Sequence, residues 1–384
     1  MSSAANGTWR SDWQDALQHT WRPFAISRLC LALVVYAAHL YNQTLPPEKA
    51  IWPGIQNFWL NPWTYFDSRF FLGIAAHGYT PETTAFFPLY PLLLRVFAPS
   101  ETAMALCGVL VSNLALALAL PLFYSLTRRD FGDDTARRAA WLLAFFPTTV
   151  FFSAVYTEAV FFLFLVATFF FVRRGNWVAA SACGLLASLT RNTGPLIFLA
   201  LAWEYWRSGN KTPRAAMLAV FAPLLGFAAV QWYFATRFGG ALAGVRSQAA
   251  FGRRLNWPFE PLWRDVHDIA RQSASAYDLT APLGVIVCIT ALCFAVGLWR
   301  RGQISYAILV AGVITMHLTL GRTTSPYTSD ATRYMMTIFP FTQMLAHSSA
   351  PLVANRLRAS LAMTIFLLAW AVLTWRFGIK SFIS

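Results

Sequence analysis

Asp67 lies in the run Phe66-Asp67-Ser68-Arg69-Phe70-Phe71-Leu72-Gly73-Ile74-Ala75-Ala76-His77-Gly78-Tyr79, which brings a carboxylate, a guanidinium and an imidazole close together in aromatic company. Desolvation in such a setting raises a carboxylate's pKa and suits it to accept a proton. The plainer alternative is an acid that caps the following helix or pairs with Arg69. Downstream, Ala85-Phe86-Phe87-Pro88-Leu89-Tyr90-Pro91 carries two prolines that break an aromatic run, which reads as a bent segment re-entering an apolar span.

Tyr156-Thr157-Glu158 leaves a second carboxylate in a tight connection between two strongly apolar segments. An acid so near hydrocarbon needs a partner or a task, unless it is a helix-start acid favoured by the macrodipole. Thr190-Arg191-Asn192-Thr193-Gly194 is another tight connection, and Arg333-Tyr334 follows Asp330-Ala331-Thr332 at the edge of a later apolar run. Each of these arginines presents a planar fork that matches phosphate, or else snorkels to lipid headgroups. Between 237 and 280, Arg246, Arg253, Arg254, Arg264 and Arg271 alternate with Trp257, Phe259 and Trp263, a mixture suited to a phosphate-bearing headgroup or a sugar stacked on indole. Asp265-Val266-His267-Asp268 is poorly spaced for a metal.

These groups must be positioned by a scaffold in the bilayer. The chain has 384 residues, 57% hydrophobic and 12% charged, against about 25% charged in soluble domains. Mean hydropathy is +0.49. Apolar runs near 24–41, 103–127, 139–155, 157–172, 177–190, 195–206, 215–236, 281–299, 304–320, 335–347 and 360–377 predict about eleven crossings of a core roughly 30 Å thick. Residues 195–206 and 335–347 are short, as expected of helices with misplaced ends or broken beside a cavity. Ahead of the first run, Trp9, Trp13, Leu17 and Trp21 recur every four residues, which predicts an interfacial helix over 1–23 and shows no cleavable signal pattern.

The net charge of +14 sorts onto alternate loops: Arg128, Arg129, Arg137 and Arg138, then Arg173 and Arg174, Arg207, Lys211 and Arg214, Arg300 and Arg301, and Arg356 and Arg358. The positive-inside rule therefore places the N-terminus in the cytoplasm and two long loops, 42–102 and 237–280, outside. The first is dense in Trp, Phe and Tyr and is expected to lie on the membrane as interfacial helices, within a single multi-spanning domain covering 1–384. Ten carboxylates fall outside: Glu48, Asp67, Glu82, Glu101, Glu158, Glu260, Asp265, Asp268, Asp278 and Asp330. None falls at mid-bilayer, which weighs against an ion-coupled carrier. The cysteines, Cys30, Cys107, Cys183, Cys288 and Cys293, all lie in apolar stretches, an arrangement that predicts neither a disulfide framework nor a zinc site.

Taken in order, FDSRFFLGIAAHGY at 66–79, AFFPLYP at 85–91, YTE at 156–158, TRNTG at 190–194 and DATRYMMTIFP at 330–340 resemble the PIG-V family of mannosyltransferases, within the multi-spanning GT-C glycosyltransferases. The resemblance implies an all-α polytopic fold and transfer of a hexose, usually mannose. The donor would be a polyprenyl- or dolichyl-phosphate sugar, the acceptor lipid-anchored, and the anomeric carbon inverted. It makes Asp67 the base. Where the family usually has Trp before that Asp and a less charged residue two positions after it, this chain has Phe66 and Arg69, which bears on donor and acceptor identity more than on reaction class.

On this basis Arg191, Arg333, Tyr334 and His77 are expected at the donor phosphate. Arg69, Tyr79, Tyr156, Glu158, Asn192, Trp257 and Arg254 are expected to line the substrate. No cofactor or metal is expected, because a lipid phosphate is already a fair leaving group. The expected partners are the lipid-linked donor, the lipid-linked acceptor and membrane lipids, not nucleic acid. The rival functions are a flippase for a lipid-linked sugar and a non-catalytic subunit of a larger complex. The compact chain and its lack of an ER-retention tail favour a prokaryotic plasma membrane over the ER.

Overall fold

Long apolar runs punctuated by Pro, Gly and Arg become helices in the computed structural model, which describes residues 9–44, 55, 57–209, 216–240, 243–271, 280–353 and 355–381. Glu48, Trp52, Lys211, Arg214 and Asp278 lie outside these residues. The helices are α1 (Trp9–Gln43), α2 (Ser68–His77), α3 (Leu89–Phe97), α4 (Glu101–Phe131), α5 (Asp133–Ala144), α6 (Glu158–Arg173), α7 (Trp177–Ser188), α8 (Leu196–Ser208) and α9 (Ala216–Phe238). After α10 (Ala243–Ala250), the strand β1 (Arg253–Leu255) and α11 (Glu260–Ala270) come α12 (Thr280–Arg300) and α13 (Ile304–Thr319). The strand β2 (Leu320–Arg322), α14 (Ala331–Thr337), α15 (Phe339–Ser348), α16 (Ala350–Val353) and α17 (Arg356–Gly378) complete the order.

Among the described residues five helices are long and apolar enough to cross a membrane: α1 from Asp12, α4, α9, α12 and α17. The protein is an integral membrane protein of the all-α, polytopic class. The segment expected to lie separately at the interface instead continues into the first span, with Pro23 inside α1. It docks on neighbouring helices: Ala16 packs with Tyr124 and Ala136, His19 stacks on Tyr124, and Asp15 pairs with Arg128.

Two of the expected spans are broken. Residues 139–155 leave the helix at Phe145, pass Pro147 and resume as a single 3-10 turn, Thr149–Phe152. Arg28 of α1 fills the gap, donating to the Ala144 carbonyl and to the Thr149 and Ser153 hydroxyls, each at 2.8 Å. Such internal satisfaction is what lets irregular backbone exist at membrane depth. Residues 335–347 divide into α14 and α15 at Ile338, whose backbone is extended, and Pro340 sits in the first turn of α15. The breaks meet where the Thr148 hydroxyl donates to the Thr332 carbonyl at 3.4 Å.

The centre of the bundle is α6, whose Phe-rich sequence is apolar on nearly every face and is therefore enclosed by protein. Phe162 and Phe169 pack on Phe123, Phe152, Tyr306 and Phe339. Sixteen residues of helix rise roughly 22 Å, so the two charged ends of α6 are well separated. At its C-terminal end Arg173 pairs with Glu204 at 2.6 Å, and Tyr306 donates to Asp130. Its N-terminal end, Glu158, is buried behind Thr157, Arg191 and Arg333, which line a cavity.

Candidate active site

Asp67 owes its position to a network of buried hydroxyls. The Tyr90 hydroxyl donates to the Gly108 carbonyl, and the Ser112 hydroxyl donates to the Ala154 carbonyl at 2.8 Å. This fixes the turn that leads into Tyr156. The fully buried Tyr156 hydroxyl then donates to the Tyr65 carbonyl at 3.0 Å and accepts from the Asp67 N–H at 3.1 Å. Between them Phe66 has φ +56°, a left-handed conformation strained for an aromatic residue. Asp67 occupies the N-cap position of α2 but makes no side-chain cap hydrogen bond. Its Oδ2 instead accepts from Arg333 Nη1 at 2.7 Å, across 266 residues of chain.

Glu158 ties this pair to Arg191. Its Oε1 lies 2.5 Å from Arg333 Nε and 2.5 Å from Arg191 Nη1, and the side chain has no solvent exposure. Arg191 Nη1 also donates to the Thr157 hydroxyl at 3.2 Å, while its Nε is buried and has no hydrogen-bond partner among the described residues. The Arg333 guanidinium lies over the Tyr156 and Phe151 rings, and Arg191 lies against Tyr334. The turn carrying Arg191 is tight: Gly194 N–H donates to the Arg191 carbonyl, and a Cβ at Gly194 would sit 2.3 Å from Ser188 Cα. Leu89 N–H donates to the Leu189 carbonyl at 3.0 Å, which joins this turn to the proline-bent segment.

These groups face a cavity of about 190 Å³ whose wall includes Asp67, Thr157, Arg191, Asn192, Arg333 and Tyr334. Phe71, Phe86 and Phe251 supply an aromatic side. The ribbon, where β1 and β2 pair antiparallel, contributes Arg253 and Arg322 to the wall, with Asp330 beside them and the Arg253 guanidinium over the Tyr334 ring. Arg253 is ion-paired with Asp330. Burial works against its charge, but Tyr334 and Asp330 outweigh it and hold the guanidinium's pKa above the ordinary value.

The structure thus brings together Asp67, Tyr156, Glu158, Arg191, Asn192, Arg333 and Tyr334 of the residues singled out from the sequence. Tyr156 and Glu158 stand behind the cavity wall, fully buried, and others lie away from it altogether. His77, 72% exposed, pairs with Glu101. Arg69 stacks on Phe70. Arg254 is turned to Asn256 and Glu260, because neighbouring residues of a strand point to opposite faces and Arg253 takes the inner one. Trp257 is 83% exposed. Tyr79 lines a separate apolar cavity of about 340 Å³ with Ile74, Pro88, Leu92, Leu189 and Tyr233. Among the charged wall residues sequence reasoning passed over Arg322; Arg253 was grouped with the basic loop, and its neighbour Arg254 was expected at the substrate in its place.

A family profile described as Mannosyltransferase (PIG-V) matches residues 49–238, the segment that holds Asp67, Glu158 and Arg191. GPI mannosyltransferase 2 of Drosophila pseudoobscura pseudoobscura is 34% identical over 109 residues, and that of Drosophila melanogaster 34% over 112. Each match covers 25% of this chain and only 24% of the relative's length. Among solved structures, ArnT from Cupriavidus metallidurans bound to undecaprenyl phosphate aligns with 94% of this chain and 76% of its own at TM-score 0.51 and 13% identity, a likeness of fold. Over residues 49–238 the chain is therefore similar to the PIG-V mannosyltransferases, and its multi-spanning helical fold is like that of ArnT.

Proposed function

We propose that the chain transfers a hexose, mannose by family, from a polyprenyl- or dolichyl-phosphate donor to a lipid-anchored acceptor, with Asp67 as the base. The observation that carries this reading is the meeting of Asp67 with Arg333 and Arg191 on one cavity wall through the buried Glu158. Among the described residues Asp67 Oδ1 has no hydrogen-bond donor, while Oδ2 is held by Arg333, so one oxygen is available to a substrate hydroxyl. In the reaction the acceptor oxygen forms a bond to the anomeric carbon as Asp67 takes its proton. The bond from that carbon to the phosphate oxygen breaks, and the electron pair leaves with the lipid phosphate. A single displacement of this kind inverts the anomeric centre.

The cationic wall stabilises the phosphate as charge develops on it, the kind of preorganised electrostatic help that supplies much of enzymatic rate enhancement. The apolar cavity beside Pro88 and Leu189 shares its dividing wall with the charged one, since Phe87 and Thr190 line the first cavity, and it suits an isoprenoid chain. Arg128, Arg173 and Arg174 gather with Asp12, Asp15 and Glu204 at the far end of α6, which supports a cytoplasmic N-terminus and an active site on the other face. The matched relatives are Drosophila proteins.

The test is purified chain in lipid nanodiscs with radiolabelled polyprenyl-phosphate-mannose and membrane lipid extract. Wild type is expected to yield labelled glycolipid, and Asp67→Asn to lose about 100-fold or more in turnover, the usual weight of a general base. Because Asp67 is also paired with Arg333, the variant's melting temperature should fall by a few degrees, while the protein stays folded and still binds donor. An Asp67→Asn variant that turns over like wild type would exclude Asp67 as the base.

A further inference from the structure

Arg253 and Arg322 stand directly opposite each other in the ribbon, and both line the charged cavity. Directly opposed residues of an antiparallel pair project to the same face about 5 Å apart, where like charges repel. Such a placement is stable when anions lie between or beside the two. The ribbon is held firmly: Thr323 N–H donates to the Gly252 carbonyl and Asn256 N–H to the Thr319 carbonyl, each at 2.7 Å. Arg322 Nη1 also donates to the Ser329 hydroxyl at 3.2 Å.

Arg253 is held within the ribbon by Asp330 and the Leu320 carbonyl, whereas the other two arginines are held by Asp67 and Glu158. Arg333 spends Nε and Nη1 on Glu158 and Asp67, and Arg191 spends Nη1 on Glu158 and Thr157. They hold the acids in place. By formal charge the cavity has four guanidiniums, Arg191, Arg253, Arg322 and Arg333, against the carboxylates of Asp67, Glu158 and Asp330, leaving one positive charge in excess. A lipid-phosphate sugar is a phosphodiester with one negative charge, which matches that excess.

We infer that Arg253 and Arg322, paired across the ribbon, form the clamp that binds the phosphate of the lipid-linked donor, and that Arg191 and Arg333 are positioning residues for the acids. The identity of the ligand rests on the transfer reaction proposed above; the clamp itself is tested by binding. It selects for phosphate attached to an isoprenoid and is indifferent to the isoprenoid alcohol. The released lipid phosphate, a monoester with more negative charge than the donor, binds more tightly and acts as a product inhibitor.

The experiment uses the full chain in nanodiscs and measures direct binding of farnesyl phosphate and of farnesol to wild type, Arg322→Gln, Arg253→Gln and Arg322→Lys. Each Gln variant is expected to weaken farnesyl phosphate binding by about 10- to 100-fold, the weight of a charge-assisted hydrogen bond, and to leave farnesol unchanged. Arg322→Lys should recover part of the loss, and in the Gln variants donor KM should rise and kcat fall, since the same charge holds the bound and the departing phosphate. Because Arg253 is also paired with Asp330 and its loss could disturb the ribbon, Arg322→Gln is the deciding variant. If Arg322→Gln leaves farnesyl phosphate affinity unchanged, or weakens phosphate and alcohol equally, the clamp is refuted. A wild-type chain that binds farnesyl phosphate through these arginines yet makes no labelled glycolipid would refute the transfer reaction and leave the clamp standing.

Discussion

Glu158→Gln tests whether one buried carboxylate organises the site. The substitution keeps the shape of the side chain and one acceptor oxygen, but it removes the charge that two guanidiniums approach at 2.5 Å. Arg191 would then face no carboxylate among its described partners, and Arg333 would keep only Asp67. Removing one partner of a buried ion pair costs about 3–5 kcal/mol, because the remaining charge stays buried. That is a large share of the roughly 5–15 kcal/mol that holds a typical protein folded. At about 2–4 °C per kcal/mol the melting midpoint should fall by on the order of 10 °C. Thermal unfolding in detergent can be followed by thiol labelling of Cys288, which is fully buried in α12. Turnover should fall by up to about 100-fold as Arg333 loses an anchor and Asp67 drifts from its working position. Glu101→Gln is the control, because its contact with His77 is solvent-exposed and worth little. A Glu158→Gln protein that melts within 2 °C of wild type, a margin of about 1 kcal/mol, and turns over normally would refute the organising role.

Gly194→Ala forces a Cβ to within 2.3 Å of Ser188 Cα, so the turn presenting Arg191 must shift; a loss of about 1–3 kcal/mol in the same melting assay is expected, with weakened turnover. Asp265→Ala removes the acceptor for the Tyr327 and Thr328 N–H groups at 2.9 and 2.7 Å, and amide hydrogen exchange at those two residues should accelerate, with about 2–5 kcal/mol lost. Arg254→Ala and Trp257→Ala, both turned away from the cavity, should keep turnover within about twofold of wild type, the limit expected of surface changes of about 0.5 kcal/mol or less. A large loss in either would place a substrate on the outer face of the ribbon.

Helix positions were legible because apolar length is local. The ends of α4, α6, α7, α9, α12, α13 and α17 fall within a few residues of the apolar runs that predict them. The suspicion of broken helices was also readable at 335–347, where Pro340 interrupts the run, but the break within 139–155 was hidden. Its carbonyls are satisfied by Arg28, more than a hundred residues earlier, and nothing in the apolar run announces such a partner. The continuity of α1 through Pro23 was likewise decided elsewhere, by the docking of Ala16, His19 and Asp15 on Tyr124 and Arg128.

The charged site separates what spacing can say from what it cannot. Asp67, Glu158, Arg191 and Arg333 could be singled out because a charge beside hydrocarbon is costly and so calls for a partner. Which partner each takes is a tertiary fact: Asp67 passes over Arg69, two residues away, for Arg333 at 2.7 Å, because α2 carries Arg69 onto the Phe70 ring instead. The planar fork that points Arg191 and Arg333 to phosphate in the sequence says nothing of Glu158, which binds each of them in the fold. A guanidinium paired with the fully buried Glu158 is better fitted to fix that acid than to release it for a ligand on every turnover. The cations that answer to phosphate must then come from a surface built independently of that network, and the cross-strand pair Arg253 and Arg322 is such a surface. Its register depends on two three-residue strands that no period-two pattern in the sequence marks, so this part of the cavity wall could be found only once the chain was folded.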